Sequence, residues 1–286
     1  MKKTFRSGWE YVITTIFLLS IFAVYCKSPD RTGNLLSAGE LIAFRDSVNQ
    51  VFENKFGQEK LWGEAVLRPG KWKKGDLIFS EKFEDLRNWH HEGRGHLSQP
   101  DAGIMQINCI GSAQGGVGCM AFCKKTFPDN ICIEYDLKVL TTNGLIITFV
   151  ACNGRRGEDM LIQLPARKGS FADYVYNPDL RSYHISLSRY DDNGNHTGVS
   201  NWRRNPGLFL MGQQVDLCQK PQTWYHIKIV KADNLLQLWV NNLFAGGFRD
   251  KNEIPEPIPQ QGKIGFRAIG SNVIAQIKNF KVSLIK

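Results

Sequence analysis

One strand-like stretch, Arg181–Tyr190, gathers titratable side chains on a single face. Its residues alternate, so the apolar side chains of Tyr183, Ile185 and Leu187 point one way. The other face presents hydroxyls and one imidazole, from Ser182, His184, Ser186, Ser188 and Tyr190. An apolar face packs on a core, whereas a face of hydroxyls needs no burial and suits a polar ligand. We therefore predict that this strand lies in the floor of a binding groove.

The side chains around this strand match what β-elimination in a uronic-acid polymer requires. A cation must neutralise the substrate carboxylate, a base must remove the C5 proton, and an acid must protonate the leaving oxygen. His184 and Tyr190 are the candidate proton-transfer residues, and Tyr174 and Tyr176 lie just upstream. Arginine suits the carboxylate because its planar guanidinium binds it bidentately. The candidate arginines are Arg181, Arg189, Arg203 and Arg204. A hydrogen-bonded structural role for His184 is the alternative.

Two acidic pairs raise a second possibility, glycoside hydrolysis. Glu134 and Asp136 share one strand face, as in the E-x-D-x-x-E strand of laminarinase-type glycosidases, but the third acid is missing. Glu158 and Asp159 follow the loop Asn153–Gly157 at the end of an apolar strand, where functional residues are common. Retaining hydrolysis needs two carboxyl groups about 5 Å apart, and adjacent residues of an extended chain point apart. We predict Glu158 as a catalytic candidate.

The third possibility is a non-catalytic, lectin-like module. Trp202, Arg203, Arg204 and Asn205 combine an aromatic ring, which can stack on a sugar, with hydrogen-bonding groups that can orient it. Trp202 could instead be packed inside the protein, and Arg204 could be paired with an internal acid. Because titratable groups outnumber aromatic rings in this region, we favour an enzyme, either a polysaccharide lyase or a glycoside hydrolase.

The elements that must position these residues are β-strands over residues 76–286. Ile131–Val139 alternates, and Leu145–Ala151 is apolar throughout, which predicts a central strand covered on both faces. Ala232–Asn234 predicts a hairpin turn, and a slip of alternation near Asn279 predicts a bulge. Strands separated by Gly, Asn and Pro turns, without a helical period between them, predict an all-β sandwich of two antiparallel sheets.

Residues 27–75 differ in composition and predict a helical tether followed by a connector. Ser37 and Glu40 form a capping-box pattern, and apolar residues follow at helical spacing. The predicted helix ends near Gly57, and residues 60–75, which contain Pro69, predict an irregular connector.

Residues 1–26 predict an export signal. Lys2, Lys3 and Arg6 precede the apolar run Tyr11–Tyr25, which is short for a membrane span, and Cys26 follows it. This order is typical of a bacterial lipoprotein signal, in which the cysteine is lipidated, although Tyr25 stands where a small residue is expected. Plain secretion and an uncleaved anchor are the alternatives. Each predicts an exported protein of the cell envelope, in the periplasm or at the outer membrane, that meets a membrane only through this segment.

Composition bears on the class of binding partner, on the state of the cysteines and on cofactors. The formal net charge is +9, which favours an acidic partner, but the basic residues are dispersed and no nucleic-acid motif is present, so we predict no nucleic-acid binding. The chain has seven cysteines, and the six besides Cys26 predict buried thiols or one or two bridges. We predict no cofactor or catalytic metal. Asp191–Asn195 resembles part of a calcium loop but lacks the closing glutamate, so a hairpin turn is favoured.

Several segments together resemble a known family. Phe127–Asp136, Trp224–Ile229 with Leu238–Asn241, and Gly262–Arg267 with Ile277–Val282 resemble concanavalin-like jelly rolls. More specific motifs are Gly157–Asp159, Gly169–Tyr174, Tyr183–Ser186 and Asn201–Gly207. In that order they resemble the YesU-like family, a bacterial group tied to polysaccharide use. The resemblance covers residues 76–286. It implies a concanavalin-like jelly roll whose concave face engages a polysaccharide or oligosaccharide, and it brings no settled activity.

Overall fold

The computed structural model describes residues 35–112 and 116–286, and these residues form two antiparallel β-sheets packed face to face. This confirms the predicted all-β sandwich. The predicted signal segment, including Cys26, lies outside the described residues.

The larger sheet, sheet A, has nine strands. Their spatial order is β1 (Gly63–Val66), β14 (Leu243–Asp250), β13 (Leu235–Val240), β12 (Tyr225–Ala232), β7 (Ile131–Val139), β16 (Val273–Ile285), β5 (Met105–Cys109) and β4 (His96–Ser98), with β2 (Lys74–Ser80) also paired to β16. The predicted hairpin turn joins β12 to β13. The predicted bulge is also present, because the register between β16 and β7 shifts between Lys278 and Lys281 and Asn279 has a φ of 55°.

The smaller sheet, sheet B, has seven strands. Their order is β11 (Phe209–Val215), β10 (Val199–Asn205), β9 (Leu180–Leu187), β8 (Gly144–Gly154), β15 (Lys263–Gly270), β6 (Cys119–Cys123) and β3 (Trp89–Gly93). As predicted, β8 is central and covered on both faces. Its Ile146 and Val150 join the core between the sheets, while Ile147 and Phe149 join a second apolar cluster on the outer side.

The core between the sheets follows from the period of two in the strands. Ile133, Tyr135 and Leu137 of β7 face Tyr183 and Ile185 of β9 across the sandwich, within one buried apolar cluster. The six cysteines of the described residues are buried free thiols.

The N-terminal helix, α1 (Ala38–Phe56), has the predicted capping box. The backbone N–H of Glu40 donates to Ser37 Oγ at 3.2 Å, and Ser37 N–H donates to the Glu40 carboxylate at 2.7 Å. Phe44 packs on Trp62. No helix among residues 35–112 and 116–286 is long and apolar enough to cross a membrane.

The prediction of an irregular connector over residues 60–75 is wrong for part of that range. Gly63–Val66 forms β1 and pairs with β14. The physical reason is burial of Trp62, whose ring packs edge-on against Phe209 and so draws the chain onto the sandwich.

A segment between β8 and β9 covers the outer face of sheet B. We call residues 155–179 the cover segment; it contains the short helix α2 (Ala172–Val175). Its Met160 and Tyr174 pack on Phe122 and Phe149 of the sheet. Arg167 forms a buried ion pair with Glu92 of β3, and Tyr174 Oη donates to the same carboxylate at 2.8 Å. Both polar and apolar contacts therefore attach the cover segment to sheet B.

Candidate functional site

The polar face of β9 is not the open groove floor that its sequence predicts. Ser182, Ser186 and Ser188 are buried, and His184 is only 4% exposed. Hydroxyl and imidazole groups tolerate burial when each finds a hydrogen-bond partner, and here they do so. Ser186 Oγ accepts from the N–H of Asn201 at 2.8 Å, for example.

His184 is held neutral by its surroundings. Burial, reinforced by the charges of Arg203 and Arg267, lowers the pKa of His184 to about 3. Asn205 Nδ2 donates to His184 Nδ1 at 3.0 Å and to Ser182 Oγ at 2.9 Å, which leaves the imidazole proton on Nε2. The ring also lies 5.3 Å from that of Phe149. In this arrangement the lone pair on His184 Nδ1 already accepts a hydrogen bond from Asn205. A catalytic role for His184 remains a prediction.

The other predicted proton-transfer residue, Tyr190, lies apart from His184. The chain leaves the strand at Ser188, which has a φ of 49°, and the ring of Tyr190 packs edge-on against His196. Tyr190 Oη donates to the carbonyl of Gln219 at 3.0 Å.

The segment Trp202–Asn205 divides between the two faces of β10. Trp202 is 0% exposed, packs on Phe248, and donates from Nε1 to Ser200 Oγ at 2.9 Å, so its ring lies in the core. Arg203 points the other way and donates to the carbonyl of Leu208 at 2.8 Å.

Two further predicted binding residues have local partners. Arg189 is half-buried, and it donates from Nη1 to the carbonyl of Val199 at 3.0 Å. Tyr176 packs against Phe171 of the cover segment, with the guanidinium of Arg45 from α1 5.9 Å from its ring centre.

A pocket at one end of the sandwich has one predicted residue, Arg181, in its lining, and a second, Glu158, lies next to Gly154 of that lining. It forms where β8 ends and where β7, β9 and β15 begin, and its volume is about 230 Å³. We call it the end pocket; it is lined by Pro128, Asp129, Asn153, Gly154, Gly157, Arg181, Ile258, Gln260 and Gln261.

Arg181 presents part of its guanidinium to the end pocket. Its Nε donates to the carbonyl of Gly154 at 3.3 Å, and its Nη2 donates to the carbonyl of Arg155. Among the described residues no group accepts from its Nη1, and the side chain is half-buried. Burial lowers the pKa of Arg181, while the charges of Glu256 and Glu158 act in the opposite direction. The residue therefore offers a fixed, partly desolvated cation.

Glu158 lies against Gly154, a residue of the pocket lining, because position 154 has no side chain. A Cβ built on Gly154 would come 2.2 Å from Glu158 Oε2, so a larger residue would displace this carboxylate. The N–H of Arg156 donates to Glu158 Oε2 at 2.9 Å and fixes it. The adjacent Asp159 turns away and accepts from Lys263 Nζ at 2.7 Å.

Two acceptors in the pocket wall lack partners. Asn153 Oδ1 and Asp129 Oδ2 are buried without a hydrogen bond to any described residue. The other Asp129 oxygen accepts from Lys231 Nζ at 2.7 Å. Unsatisfied buried acceptors are costly, so a donor supplied by a ligand would be favoured at either atom.

Buried ion pairs support the pocket from beneath. Arg204 Nη1 donates to Asp250 at 2.7 Å, and Tyr183 Oη donates to the same oxygen at 2.6 Å. Arg155 Nε donates to Glu256 at 2.9 Å. The predicted alternative for Arg204, pairing with an internal acid, is therefore what the structure shows.

Sequence reasoning missed part of this site. Asp129, Gln260 and Gln261 carry no local signal, because they enter from loops distant along the chain. Asn153 did carry a signal, because it is the first residue of the loop Asn153–Gly157, which the sequence marks as a place where functional residues are expected. Among the described residues no cluster of three or more His, Cys, Asp or Glu side chains is placed to hold a metal.

Fold and pocket together define a two-sheet β-sandwich with a polar pocket at one end. A family model described as "Domain of unknown function (DUF1961)" matches residues 76–282, and the chain belongs to this family. The uncharacterized protein YesU of Bacillus subtilis (strain 168) is 27% identical over 206 residues, which cover 68% of this chain and 90% of that protein. The expected YesU-like membership is thus confirmed.

One solved structure supports the fold. A Bacillus subtilis protein of unknown function, described as having a galectin-like fold, aligns with a TM-score of 0.69 at 24% identity, over 75% of this chain and 99% of that chain. A Bacillus licheniformis β-glucanase aligns more weakly, with a TM-score of 0.48 at 13% identity, over 74% of this chain and 99% of that chain. Neither alignment bears on activity.

Proposed function

We propose that this protein is an exported carbohydrate-active protein that engages a uronic-acid-containing polysaccharide at the end pocket. The observation that carries the proposal is a cavity of about 230 Å³ lined by Arg181, whose Nη1 has no acceptor among the described residues, and by Asn153, whose Oδ1 is unpaired. The carboxylate of Glu158 lies next to Gly154 of this lining.

Sugars suit this lining because each hydroxyl both donates and accepts. Asn153 and Asp129 offer acceptors, Arg181 offers a donor, and the amides of Gln260 and Gln261 offer both. A uronate adds a carboxylate, which pairs with a guanidinium in a charge-assisted hydrogen bond. The cavity is smaller than most sites for drug-sized ligands, so we expect it to hold one sugar unit or the end of a chain.

Elimination is the cleavage reaction that this geometry favours. Arg181 would neutralise the uronate carboxylate, and Glu158 would take the C5 proton. As the C4–C5 double bond forms and the C4–O bond breaks, the protonated Glu158 would return that proton to the leaving glycosidic oxygen. Hydrolysis requires a second carboxyl group that acts as an acid. The carboxyl group in the lining is that of Asp129, and it is already engaged by Lys231 Nζ at 2.7 Å.

A specific observation supports non-catalytic binding as the second candidate. The two predicted proton-transfer residues, His184 and Tyr190, are absent from the pocket lining and engaged elsewhere. A lectin-like module would need only the binding groups.

One experiment distinguishes a lyase, a hydrolase and a lectin-like module. Purified protein is incubated with polygalacturonate, alginate and neutral dextran, and absorbance of the unsaturated uronate, reducing ends and binding are measured. Under the lyase proposal absorbance rises with a uronate polymer, and Arg181→Ala and Glu158→Gln abolish the rise, while Arg68→Ala, which removes an exposed arginine elsewhere, does not.

Other outcomes reassign the function. Binding without absorbance or reducing ends, lost in Arg181→Ala, supports the lectin-like module. Reducing ends without absorbance support a hydrolase. No binding of any of these polymers contradicts the proposal.

Export is part of the proposal and has its own test. Cells expressing the full chain are fractionated, and the N-terminus of the mature protein is identified by mass spectrometry. A lipid-modified Cys26 in the membrane fraction supports the lipoprotein reading, whereas an intact Met1 in the soluble fraction contradicts export.

A further inference from the structure

The outer face of sheet A carries a second, separate group of charged and aromatic side chains. It faces away from the sandwich core because its residues have the opposite parity to the core residues of the same strands. We call it the lysine–tryptophan face; it comprises Glu134, Asp136 and Lys138 of β7, Trp224, His226 and Lys228 on or beside β12, Trp239 of β13, and Lys278 and Lys281 of β16.

Two tryptophans on this face hold lysine ammonium groups over their rings. Lys138 and Lys278 lie 4.7 Å and 4.1 Å from the ring centre of Trp224. Lys228 lies 4.2 Å from that of Trp239. A cation over an indole face is held there electrostatically. Because the lysine side chain is already restricted, it should lose less conformational entropy when it binds a ligand.

The acidic residues of this face already have polar partners, whereas its four lysines have no carboxylate partner among the described residues. Glu134 is paired with Lys74, and Asp136 accepts from Asn279 Nδ2 at 2.7 Å and lies 2.8 Å from His226 Nδ1. Within the described part of the chain, Lys138, Lys228, Lys278 and Lys281 form no ion pair with a carboxylate. The face therefore has cations to offer and few anions to repel an acidic ligand.

The spacing of the cations suits an extended polymeric ligand. Trp224 and Lys228 are four residues apart, which is roughly 13 Å along a strand. Between them lies a depression of about 310 Å³. It is lined by Lys74, Glu134, Asp136, His226, Asn279 and Lys281. Of its two carboxylates, Glu134 is paired with Lys74, and Asp136 contacts His226. We propose that the lysine–tryptophan face is a second binding surface, for a linear polyanionic glycan that spans both tryptophan–lysine seats.

A glycan fits this face better than a membrane does. Trp239 is 7% exposed and Trp224 is half-buried, so neither ring is free to enter a bilayer. Sugars carrying carboxylate or sulfate groups present hydroxyls and anions together, and both can bind lysine and the amide of Asn279.

The surface is tested in an Arg181→Ala background, which disables the end pocket. Binding of polygalacturonate, dextran sulfate and neutral dextran is measured by calorimetry at low and high salt. We expect both anionic polymers to bind, dextran not to bind, and affinity to fall as salt rises. Lys138→Gln with Lys278→Gln should weaken binding roughly ten-fold, since exposed charge contacts are individually modest.

A matched double variant supplies the control. Lys82→Gln with Lys168→Gln removes the same charge from exposed positions outside the face and should leave affinity unchanged. Equal weakening by both double variants would show that only net charge matters and would overturn the proposal. So would stronger binding to vesicles containing anionic lipid than to either polymer, or no polymer binding at all. Because Arg181 is absent throughout, these results do not depend on the end pocket.

Discussion

Protonation of His184 should unfold this protein, and the size of the effect follows from its burial. The pKa of His184 is about 3 in the folded chain, against an ordinary value of 6.5. Below pH 6.5 the unfolded chain therefore takes up a proton that the folded chain refuses. The stabilisation is fully present above pH 6.5 and is lost as the pH falls towards 3.

The loss can be estimated from linkage. Each unit of pH between the two pKa values removes about 1.4 kcal/mol, so moving from pH 7.5 to pH 5 should cost about 2 kcal/mol from this residue alone. Urea unfolding at several pH values gives the free energy of unfolding of the wild type and of His184→Asn. Asparagine keeps an acceptor for Asn205 Nδ2 near the position of Nδ1 and does not titrate.

The comparison isolates one group because other carboxylates and histidines titrate alike in both proteins. Asparagine will lower stability at pH 7.5 by leaving a cavity, but only the change with pH is compared. Between pH 7.5 and pH 5 the wild type should lose about 2 kcal/mol more than the variant. Equal losses, or an NMR titration of His184 near 6.5, would refute its burial as a neutral imidazole and reopen its role as a base.

Three further predictions concern single side chains. Gly154→Ala should displace Glu158 and slow uronate elimination roughly ten-fold, measured by the absorbance of the unsaturated product, whereas Gly212→Ala, whose added Cβ would find its nearest atom at 3.9 Å, should not. Trp202→Ala should lower the free energy of unfolding by about 3–5 kcal/mol in urea without changing the affinity of the folded protein; a selective loss of affinity would instead place the ring in a sugar site. Asp250→Asn should cost about 3–5 kcal/mol, because it leaves the buried charge of Arg204 without its counter-ion, and a loss below 1 kcal/mol would contradict that pairing.

The fold was predictable from the sequence because strand periodicity is local information. The alternation of Tyr183, Ile185 and Leu187 assigned the core face of β9 correctly, and the uninterrupted apolar run in β8 indicated cover on both faces. The same pattern could not show what covers the polar face of β9. Hydroxyls and an imidazole are equally compatible with solvent and with a hydrogen-bonded interior. This face is buried because the cover segment packs over it, held by contacts such as that of Arg167 with Glu92.

The adjacent arginines 203 and 204 show why the sequence alone could not assign separate roles within the predicted binding segment. On a strand they must point to opposite faces, so one lies on the covered side and the other enters the core end of the sandwich. The motif Asn201–Gly207 therefore includes residues that lie outside the lining of the end pocket.

The end pocket itself is assembled from loops far apart in the chain. Asp129, Asn153, Arg181 and Gln260 meet only because four strand ends converge. No local spacing encodes that convergence. Arg204 and Asp250 fix the buried end of the sandwich, Gly154 admits Glu158, and the cation of Arg181 then has a defined position in the pocket. Loss of the Arg204–Asp250 pair should consequently weaken ligand binding through the position of Arg181, even though neither member of the pair lines the pocket.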